Sequence, residues 1–306
     1  MLRLGVDLGG TKIEAIAMDV AGLELGRLRM PTPRGDYEGT VAAVAKLVRR
    51  LEEQFGERGT VGLGIPGTIV ADTQLVKNAN SVWLNGRPLQ RDLSVAMDRE
   101  VRCANDANCF AVSEATDGAA QGQDVVFGVI LGTGCGGGLV LRGKLHSGLN
   151  GLAGEWGHTP LPWPGADETP GRSCYCGRSG CLETWISGTA FEQDFAQRAG
   201  IQLGAREIMQ SARAGNGAAA GAFSRLKDRM ARGLAVVVNL LDPDMIVFGG
   251  GLSNIDELYT GELEMLLARY TFGGGTRTPI VKSRHGDSSG VRGAAWLWPA
   301  DEAKSG

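Results

Sequence analysis

Residues 2–19 read LRLGVDLGGTKIEAIAMD, and this stretch decides the fold. Apolar residues alternate with other residues on both sides of DLGGTK (7–12), and alternation with a period of two predicts two β-strands. The two glycines at the junction favour a tight turn. We therefore predict a β-hairpin whose turn brings backbone amides, a hydroxyl and a cation close together.

The same design returns later in the chain. VVFGVIL (125–131) leads through GTGCGGG (132–138) into LVLRG (139–143), and the apolar run MIVFGGG (245–251) also ends in glycines. Because glycine has no side chain, these are places where the backbone can approach a ligand closely. Two Gly-rich hairpins, with helical spacing of apolar residues between the strands, predict a duplicated α/β architecture.

The segments between the hairpins set the expected domains. TVAAVAKLVRRLEEQF (40–55) and FSRLKDRMARGLAVVVNLLDP (223–243) have helical spacing, and the second stops where proline cannot continue a helix. We predict an N-terminal α/β domain over residues 1–117, joined by a C-terminal helix over about 290–306. Residues 118–289 are expected to form a C-terminal α/β domain that carries a zinc-binding loop.

The composition excludes several classes of protein. The chain has 306 residues, of which 43% are apolar, and a net charge of −3 with no basic stripe, which argues against a nucleic-acid partner. No apolar run approaches about 18 residues, and the N-terminus lacks the features of a secretory signal. We expect a cytoplasmic protein that does not bind membranes. Cys103, Cys109 and Cys135 are scattered through apolar or Gly-rich segments and are expected in the core.

The Gly-rich turns suit phosphate groups, because backbone N–H groups can converge there on an anion. Asp7 is a candidate for holding Mg2+ through water, with Thr11 and Lys12 facing the transferred phosphate. The alternative is an ordinary hairpin turn followed by a surface lysine. Neither turn has the sequence or the strand-to-helix context of a P-loop or a Rossmann fingerprint. The candidate nucleotide-binding residues are Asp7, Gly9, Gly10, Thr11, Lys12, Gly132, Thr133, Gly134, Gly249, Gly250 and Gly251.

The segment ANDAN (104–108) is a candidate for the chemistry. It ends a predicted strand and presents Asn105, Asp106 and Asn108 together. A carboxylate between two amides makes a sugar-binding corner with a base at its centre, which phosphoryl transfer to a hydroxyl requires. The alternative is an Asx-rich turn or a helix cap.

CYCGRSGC (174–181) contains three of the six cysteines, and it raises the alternatives of a redox device, a disulfide and a metal site. With His158, the pattern H-x15-C-x-C-x4-C supplies four ligands for a tetrahedral zinc ion: His158, Cys174, Cys176 and Cys181. A thioredoxin-like motif is absent, and a reducing cytosol disfavours structural disulfides. Zinc is therefore favoured over redox chemistry, a disulfide or coincidence. Four protein ligands leave no open position, which predicts a structural role.

Several motifs resemble those of known families. DLGGTK, LGTGCGGG and FGGG look like the two phosphate motifs and the adenosine motif of the actin, Hsp70 and sugar kinase superfamily. This implies a two-domain, ribonuclease H-like fold with an ATP cleft between the domains. NDAN (105–108), GLAGEWGHTPL (151–161) and CYCGRSGCLET (174–184) are similar, in that order, to the signature of the ROK family of bacterial sugar kinases and sugar-responsive repressors. The resemblance runs from Gly5 to WLWP (296–299).

The family resemblance implies roles for individual residues. Asp106 is the catalytic base, and the zinc ligands are the four residues named above. The implied cofactors are ATP, Mg2+ and a structural Zn2+, and the implied assembly is a homodimer. If His158 ligates zinc through one ring nitrogen, the other is left for a sugar hydroxyl. The implied sugar-binding residues are Gly67, Asn80, Asn105, Asp106, Glu155, His158 and Glu183.

The expected activity follows from the same resemblance. Stretches such as VKNANSVWLNG (76–86) and HGDSSGVRGAAWLWP (285–299) look like the bacterial fructokinase, or manno(fructo)kinase, subgroup. We expect ATP-dependent phosphorylation of D-fructose to fructose 6-phosphate, with mannose as a further substrate. The alternatives are a glucokinase or an N-acetylglucosamine or N-acetylmannosamine kinase.

Two alternatives belong to other classes of protein. A non-catalytic sugar-sensing regulator is disfavoured, because a DNA-binding segment would precede DLGG, which begins at Asp7. A chaperone-like or filament-forming ATPase is disfavoured by the zinc pattern and NDAN. Because Glu155 and Glu183 flank the zinc ligands in sequence, we also expect metal removal to weaken sugar binding before ATP binding.

Overall fold

The computed structural model describes residues 2–299, which form two compact units. The first contains the described residues within Met1–Gly122, Gly138–Ala153 and Asp287–Gly306. The second contains Gln123–Gly137 and Gly154–Gly286. The predicted boundary followed residue 117, and residues 138–153 were expected in the other domain. The strand β9 (Cys135–Leu141) continues without a break through Gly137, where the second unit gives way to the first, so the sequence gives no sign of this boundary.

The first unit is built around a five-stranded sheet. Its strands are β1 (Leu2–Leu8), β2 (Lys12–Met18), β3 (Glu24–Pro31), β4 (Gly59–Ile65) and β7 (Val101–Asn105), and two short strands, β5 (Thr68–Ile69) and β6 (Val76–Lys77), pair separately. The order in the sheet is β3-β2-β1-β4-β7, in which the first three are antiparallel and β1, β4 and β7 are parallel. The carboxyl ends of three parallel strands therefore lie along one edge.

Local signals explain the helices of this unit. The Asp36 side chain accepts a hydrogen bond from Gly39 N and starts α1 (Tyr37–Phe55) three residues before the predicted start, and Gly56 ends it in a left-handed conformation. The other helices are α2 (Leu89–Met97), α3 (Asp106–Thr116) and α9 (Ser289–Ala295). α9 packs on α3, β1 and β4. The C-terminal helix predicted over 290–306 thus ends at Ala295, and residues 300–306 lie outside the described residues.

The second sheet has the order β10-β9-β8-β11-β12. As in the first sheet, its third, second, first, fourth and fifth strands along the chain lie side by side in that order. Its strands besides β9 are β8 (Val125–Leu131), β10 (Lys144–Leu145), β11 (Met245–Gly249) and β12 (Ile280–Lys282). The predicted hairpins at both glycine turns and the predicted duplicated architecture are confirmed.

The second unit carries the remaining α-helices and the cysteine-rich loop. The helices are α4 (Glu183–Ile186), α5 (Gly188–Ala199), α6 (Ala205–Arg213), α7 (Gly217–Leu241) and α8 (Glu262–Tyr270). α7 buries Leu226, Met230 and Leu234 and ends at Leu241, with Asp242 as its C-cap, as predicted from the Asp-Pro pair. Among the described residues, none of the helices has the length and hydropathy needed to cross a membrane.

Candidate active site and metal site

The first glycine turn joins β1 to β2 and is held by its own backbone. Gly9 N donates to Lys12 O at 3.0 Å, and the hydroxyl of Thr32 donates to Gly9 O at 2.7 Å. Gly10, Thr11 and Lys12 are exposed to solvent. The Lys12 ammonium lies 3.2 Å from Glu14 Oε2. The turn thus presents the predicted hydroxyl and cation at the surface of its unit.

Asp7 lies at the end of β1 and is partly buried. Desolvation, followed by the negative charges of Asp106 and Glu14, raises the pKa of Asp7 to about 6, while the Lys12 ammonium acts in the opposite direction. A carboxylate that is costly to ionise without a partner is a suitable ligand for a cation. This supports the prediction that Asp7 holds Mg2+.

The Asn105–Asp106 corner forms where β7 ends and α3 begins. Asn105 Oδ1 accepts a hydrogen bond from Ala107 N at 2.9 Å, and Asp106 Oδ1 accepts from the same N–H at 2.8 Å. The helix-cap alternative is therefore correct for Asn105, which also donates through Nδ2 to Gly67 O at 3.3 Å. Asn108 does not join them at the surface as expected: it is buried within α3.

The predicted site residues of this unit gather at the carboxyl edge of β1, β4 and β7. Gly67 follows β4, and Asn80 N donates to Pro66 O at 3.1 Å, which places the exposed Asn80 beside it. Asp106 is exposed as a residue, but desolvation of its carboxylate raises its pKa, while hydrogen bonds from Ala107 N and Asn105 act in the opposite direction. A base with a raised pKa suits proton abstraction near neutral pH.

The glycine turns of the second unit also lie at one sheet edge. β8 and β11 are parallel, with Ile130 opposite Gly249, so residues 132–134 and 249–251 follow neighbouring strand ends. Gly132 N donates to Gly134 O at 3.0 Å and closes the turn. Parallel strand ends are where open α/β sheets bind ligands. The predicted second phosphate turn and the third glycine segment are thus adjacent.

The four predicted metal ligands converge in the second unit. The ligand atoms of His158, Cys174, Cys176 and Cys181 all lie within 4.8 Å of one another. His158 Nδ1 is 3.5 Å from Cys174 Sγ, and the sulfur atoms of Cys176 and Cys181 are 3.6 Å apart. In a tetrahedron with zinc–sulfur bonds of about 2.3 Å, sulfur atoms are about 3.8 Å apart. The separations fit a zinc ion.

The remaining cysteines do not extend this cluster. All six cysteines are free thiols among the described residues, and Cys109 and Cys135 are buried as expected of core residues. Burial raises the pKa of Cys103, Cys109 and Cys135, so their thiols stay protonated and unreactive.

Tyr175, between two of the cysteine ligands, contacts the ring nitrogen that faces away from the cluster. Its hydroxyl lies 3.0 Å from His158 Nε2, and the two rings meet edge to face. Desolvation, and after it the negative charges of Glu183 and Glu155, raise the pKa of Tyr175 to about 12. The tyrosine hydroxyl therefore lies among three residues predicted to bind sugar hydroxyls. Tyr175 was not among the predicted site residues.

A buried ion-pair cluster beside the metal site was also not predicted. Glu168 lies in the loop between His158 and Cys174, and it accepts hydrogen bonds from Arg229 at 2.7 Å and Arg232 at 2.8 Å, both from α7. Asp194 of α5 accepts from Arg229 at 2.9 Å. Arg225, Arg229 and Arg232 are spaced by four and three residues and therefore share one face of α7, which is the signal that could have indicated it.

Comparison with known proteins identifies the family. The ROK family model matches residues 3–301, and the chain belongs to this family. The predicted family resemblance is confirmed.

Relatives and solved structures match along nearly the whole chain. The N-acetyl-D-glucosamine kinase of Haemophilus influenzae is 44% identical over 96% of this chain and 98% of its own length. The ROK hexokinase of Thermus thermophilus is 34% identical, with a TM-score of 0.86 and 97% of each chain covered. A ROK family glucokinase from Streptomyces griseus, solved with glucose and AMPPNP, is 31% identical, with a TM-score of 0.77 and 100% of each chain covered. The predicted sugar kinase-like fold is confirmed.

Proposed function

We propose that the protein is an ATP-dependent kinase that phosphorylates N-acetyl-D-glucosamine on its 6-hydroxyl. The reaction class rests above all on the carboxyl edge of the first sheet, where Asp7 lies near the end of β1 and Asp106 directly follows β7, both with raised pKa values. The substrate rests on the relatives, several of which are N-acetyl-D-glucosamine kinases 42–44% identical to this chain. They favour this alternative over the fructokinase expected from the sequence motifs.

The first unit supplies the base and the first phosphate turn. Asp106 accepts the proton of the attacking sugar hydroxyl, and its raised pKa makes it a stronger base than an ordinary aspartate. Asn105 fixes the corner, because its side chain is bonded both to Ala107 N and to Gly67 O. Asp7 would hold Mg2+, which when bound neutralises charge on the phosphate oxygens. Thr11 and Lys12 are placed to contact phosphate.

The second unit supplies the second phosphate turn and the metal cluster. The four ligands His158, Cys174, Cys176 and Cys181 would hold Zn2+, which when bound supplies a cross-link, since no coordination position is left open. His158 Nδ1 faces the cluster, so Nε2 is the nitrogen left for a sugar hydroxyl. That hydroxyl would take the place of Tyr175 Oη.

A substrate panel tests the proposal. ADP release is measured with N-acetylglucosamine, N-acetylmannosamine, glucose, mannose and fructose, and we expect the highest kcat/KM with N-acetylglucosamine. The matched control is 6-deoxy-N-acetylglucosamine, which should release no ADP because it lacks the accepting hydroxyl. A higher kcat/KM with fructose would restore the fructokinase expectation. No turnover with any of the sugars would reject the kinase itself.

Several finer assignments stay predictions. They are the homodimer, the cytoplasmic location and the occupancy of the metal cluster by zinc. Metal content by elemental analysis and mass by light scattering address the zinc and the homodimer.

A further inference from the structure

The second phosphate turn is hydrogen-bonded to two chain segments, one ending and one beginning at a metal ligand. The His arm is defined here as residues 155–158, which end at the first ligand. The Cys arm is defined as residues 181–188, which begin at the last ligand. Hydrogen bonds from the two arms reach Gly132, Cys135 and Gly136, which lie in the turn and at the start of β9.

The His arm holds the far side of the turn. Trp156 Nε1 donates to Gly136 O at 3.2 Å. Gly157 packs directly on the strand, because a Cβ at this position would lie 2.2 Å from Cys135 O. Trp156 is buried, and its ring meets Phe127 of β8 edge to face. The residues just before His158 therefore cannot shift without moving the start of β9.

The Cys arm holds the near side of the turn. Glu183 Oε2 accepts a hydrogen bond from Cys135 N at 3.0 Å. Gly188 N, at the start of α5, donates to Gly132 O at 2.7 Å. A Cβ on Gly188 would lie 2.9 Å from that same oxygen, so only glycine allows the bond without displacement of the turn.

The metal cluster joins the two arms. Beyond the cluster itself, Leu182 N donates to Thr159 O at 2.8 Å, and Cys174 Sγ lies 3.9 Å from Glu183 Oε1. Glu183 thus contacts a metal ligand through one oxygen and the phosphate turn through the other. A cross-link between the arms fixes the spacing of the attachment points on the turn.

We propose that the metal cluster sets the shape of the turn at residues 132–135, and that Glu183 and Gly188 are the positioning residues that transmit it. This positioning role goes beyond the sugar binding implied for Glu183. That the turn contacts ATP rests on the proposed function. The expectation that metal loss weakens sugar binding before ATP binding is replaced by the expectation that both weaken together.

The first test compares two glycines that start helices. Gly188 and Gly217 each follow a capping residue, Ser187 or Asn216, whose side chain accepts a backbone hydrogen bond, but nothing lies within 4 Å of a Cβ on Gly217. Calorimetry measures the Kd of a non-hydrolysable ATP analogue with Mg2+ and no sugar. We expect Gly188→Ala to raise this Kd at least about tenfold, because a contact this close displaces the turn. Gly217→Ala should stay within about twofold, and equal values for the two variants would overturn the proposal.

The second test separates the two roles of Glu183. Glu183→Gln keeps an oxygen that can accept from Cys135 N, whereas Glu183→Ala removes it. We expect only the alanine variant to raise the Kd of the ATP analogue, by about tenfold. If both variants bind the analogue as tightly as the unaltered protein, Glu183 does not position the turn.

The third test removes the metal and reads the turn directly. Amide hydrogen exchange of residues 130–137 is followed in the metal-loaded, chelator-treated and metal-restored protein, with residues 59–65 of β4 as the control. We expect exchange at residues 130–137 to rise on chelation and return on restoration, with the control unchanged. Unchanged exchange would overturn the proposal. If instead the ATP analogue binds no form of the protein, the proposed function fails, while the exchange result still decides the coupling.

Discussion

Asp7 and Asp106 in the first unit, and Glu168 and Asp194 in the second, are two pairs of partly desolvated carboxylates with different neighbours. Desolvation and mutual repulsion raise the pKa of Asp7 to about 6, and desolvation raises that of Asp106. Desolvation also acts on Glu168, but hydrogen bonds from Arg232 and Arg229 outweigh it and lower its pKa to about 2. Arg225 and Arg229 likewise lower the pKa of Asp194.

The difference separates a structural use of carboxylates from a chemical one. Glu168 and Asp194 have their charges balanced by arginines within the same unit, so they can stay ionised and hold chain segments together. Asp7 and Asp106 lack such a balance, and they are ready to take up a cation or a proton. The unbalanced pair consists of Asp7, the sequence candidate for holding Mg2+, and Asp106, which the family resemblance implies as the catalytic base.

The largest effect is expected at the catalytic base. Asp106→Asn removes the proton acceptor and should lower kcat by about 10²–10⁴-fold, since general base catalysis contributes on that order. Its helix-capping contact with Ala107 N can be kept by the amide oxygen, so circular dichroism and thermal unfolding should match those of the unaltered protein. Undiminished kcat in this variant would remove Asp106 from the mechanism.

Glu168→Gln tests the balanced pair. It leaves the guanidinium groups of Arg229 and Arg232 buried without their anion, and breaking a buried ion pair costs about 3–5 kcal/mol of the free energy of unfolding. Urea unfolding at pH 7 measures this loss. A loss below about 1 kcal/mol would show that the cluster does not stabilise the fold.

Asp7→Asn should act in the opposite direction on stability. It removes a carboxylate whose ionisation at pH 7 is disfavoured by about two pKa units, so the free energy of unfolding should rise by about 1–3 kcal/mol. The same variant should lose most of its Mg2+-dependent kinase activity. A variant that is both less stable and inactive would contradict the assignment of Asp7 as an unbalanced charge.

The two variants should also respond oppositely to pH. The pKa of Asp7 is raised in the folded state from 3.8 to about 6, so its contribution to stability is present below pH 3.8 and is lost as the pH rises through 6. The pKa of Glu168 is lowered from 4.5 to about 2, so its contribution is present above pH 4.5 and is lost as the pH falls towards 2. Unfolding of each variant and of the unaltered protein should show the stability advantage of Asp7→Asn growing as the pH rises from about 4 to 7, and the stability deficit of Glu168→Gln shrinking as the pH falls below 4.5. A stability advantage of Asp7→Asn that does not change with pH would contradict the raised pKa of Asp7 as its cause.

The smallest effect is expected next to Glu168. Asp167 lies in the same 3₁₀ turn and pairs with Arg198 at 2.7 Å, but both side chains are exposed, at 62% and 47%. Exposed pairs contribute about 0–1 kcal/mol, so Asp167→Asn should change the free energy of unfolding by less than about 1 kcal/mol. The contrast with Glu168→Gln isolates burial as the cause. Similar losses for the two variants would break the comparison.

The sequence predicted the features that depend on local patterns. The hairpin through Asp7 follows from alternation, the metal cluster from the spacing of His158 and the cysteines, and the end of α7 from Asp242-Pro243. The role of Asp106 came from the family resemblance, because an Asx cap and a catalytic corner have the same sequence pattern.

What the sequence did not predict depends on distant partners. Glu168 and Arg229 are 61 residues apart, and nothing in either local pattern indicates which charges pair in the fold. Gly188 and Gly132 are joined by a backbone hydrogen bond, which a pattern of side chains does not predict. The contact between Tyr175 and His158 depends on the ring orientation that the folded loop imposes.

The 3₁₀ turn at Ala166–Glu168 divides the loop between His158 and Cys174 into two shorter segments, each with a fixed end on α7. The entropic cost of loop closure grows with length, so a metal ion arriving at the newly made chain meets ligands that are already close together. Maturation of this protein should therefore proceed by folding first and metal uptake second. The loop amides should be protected from exchange around Glu168 even before any metal is supplied.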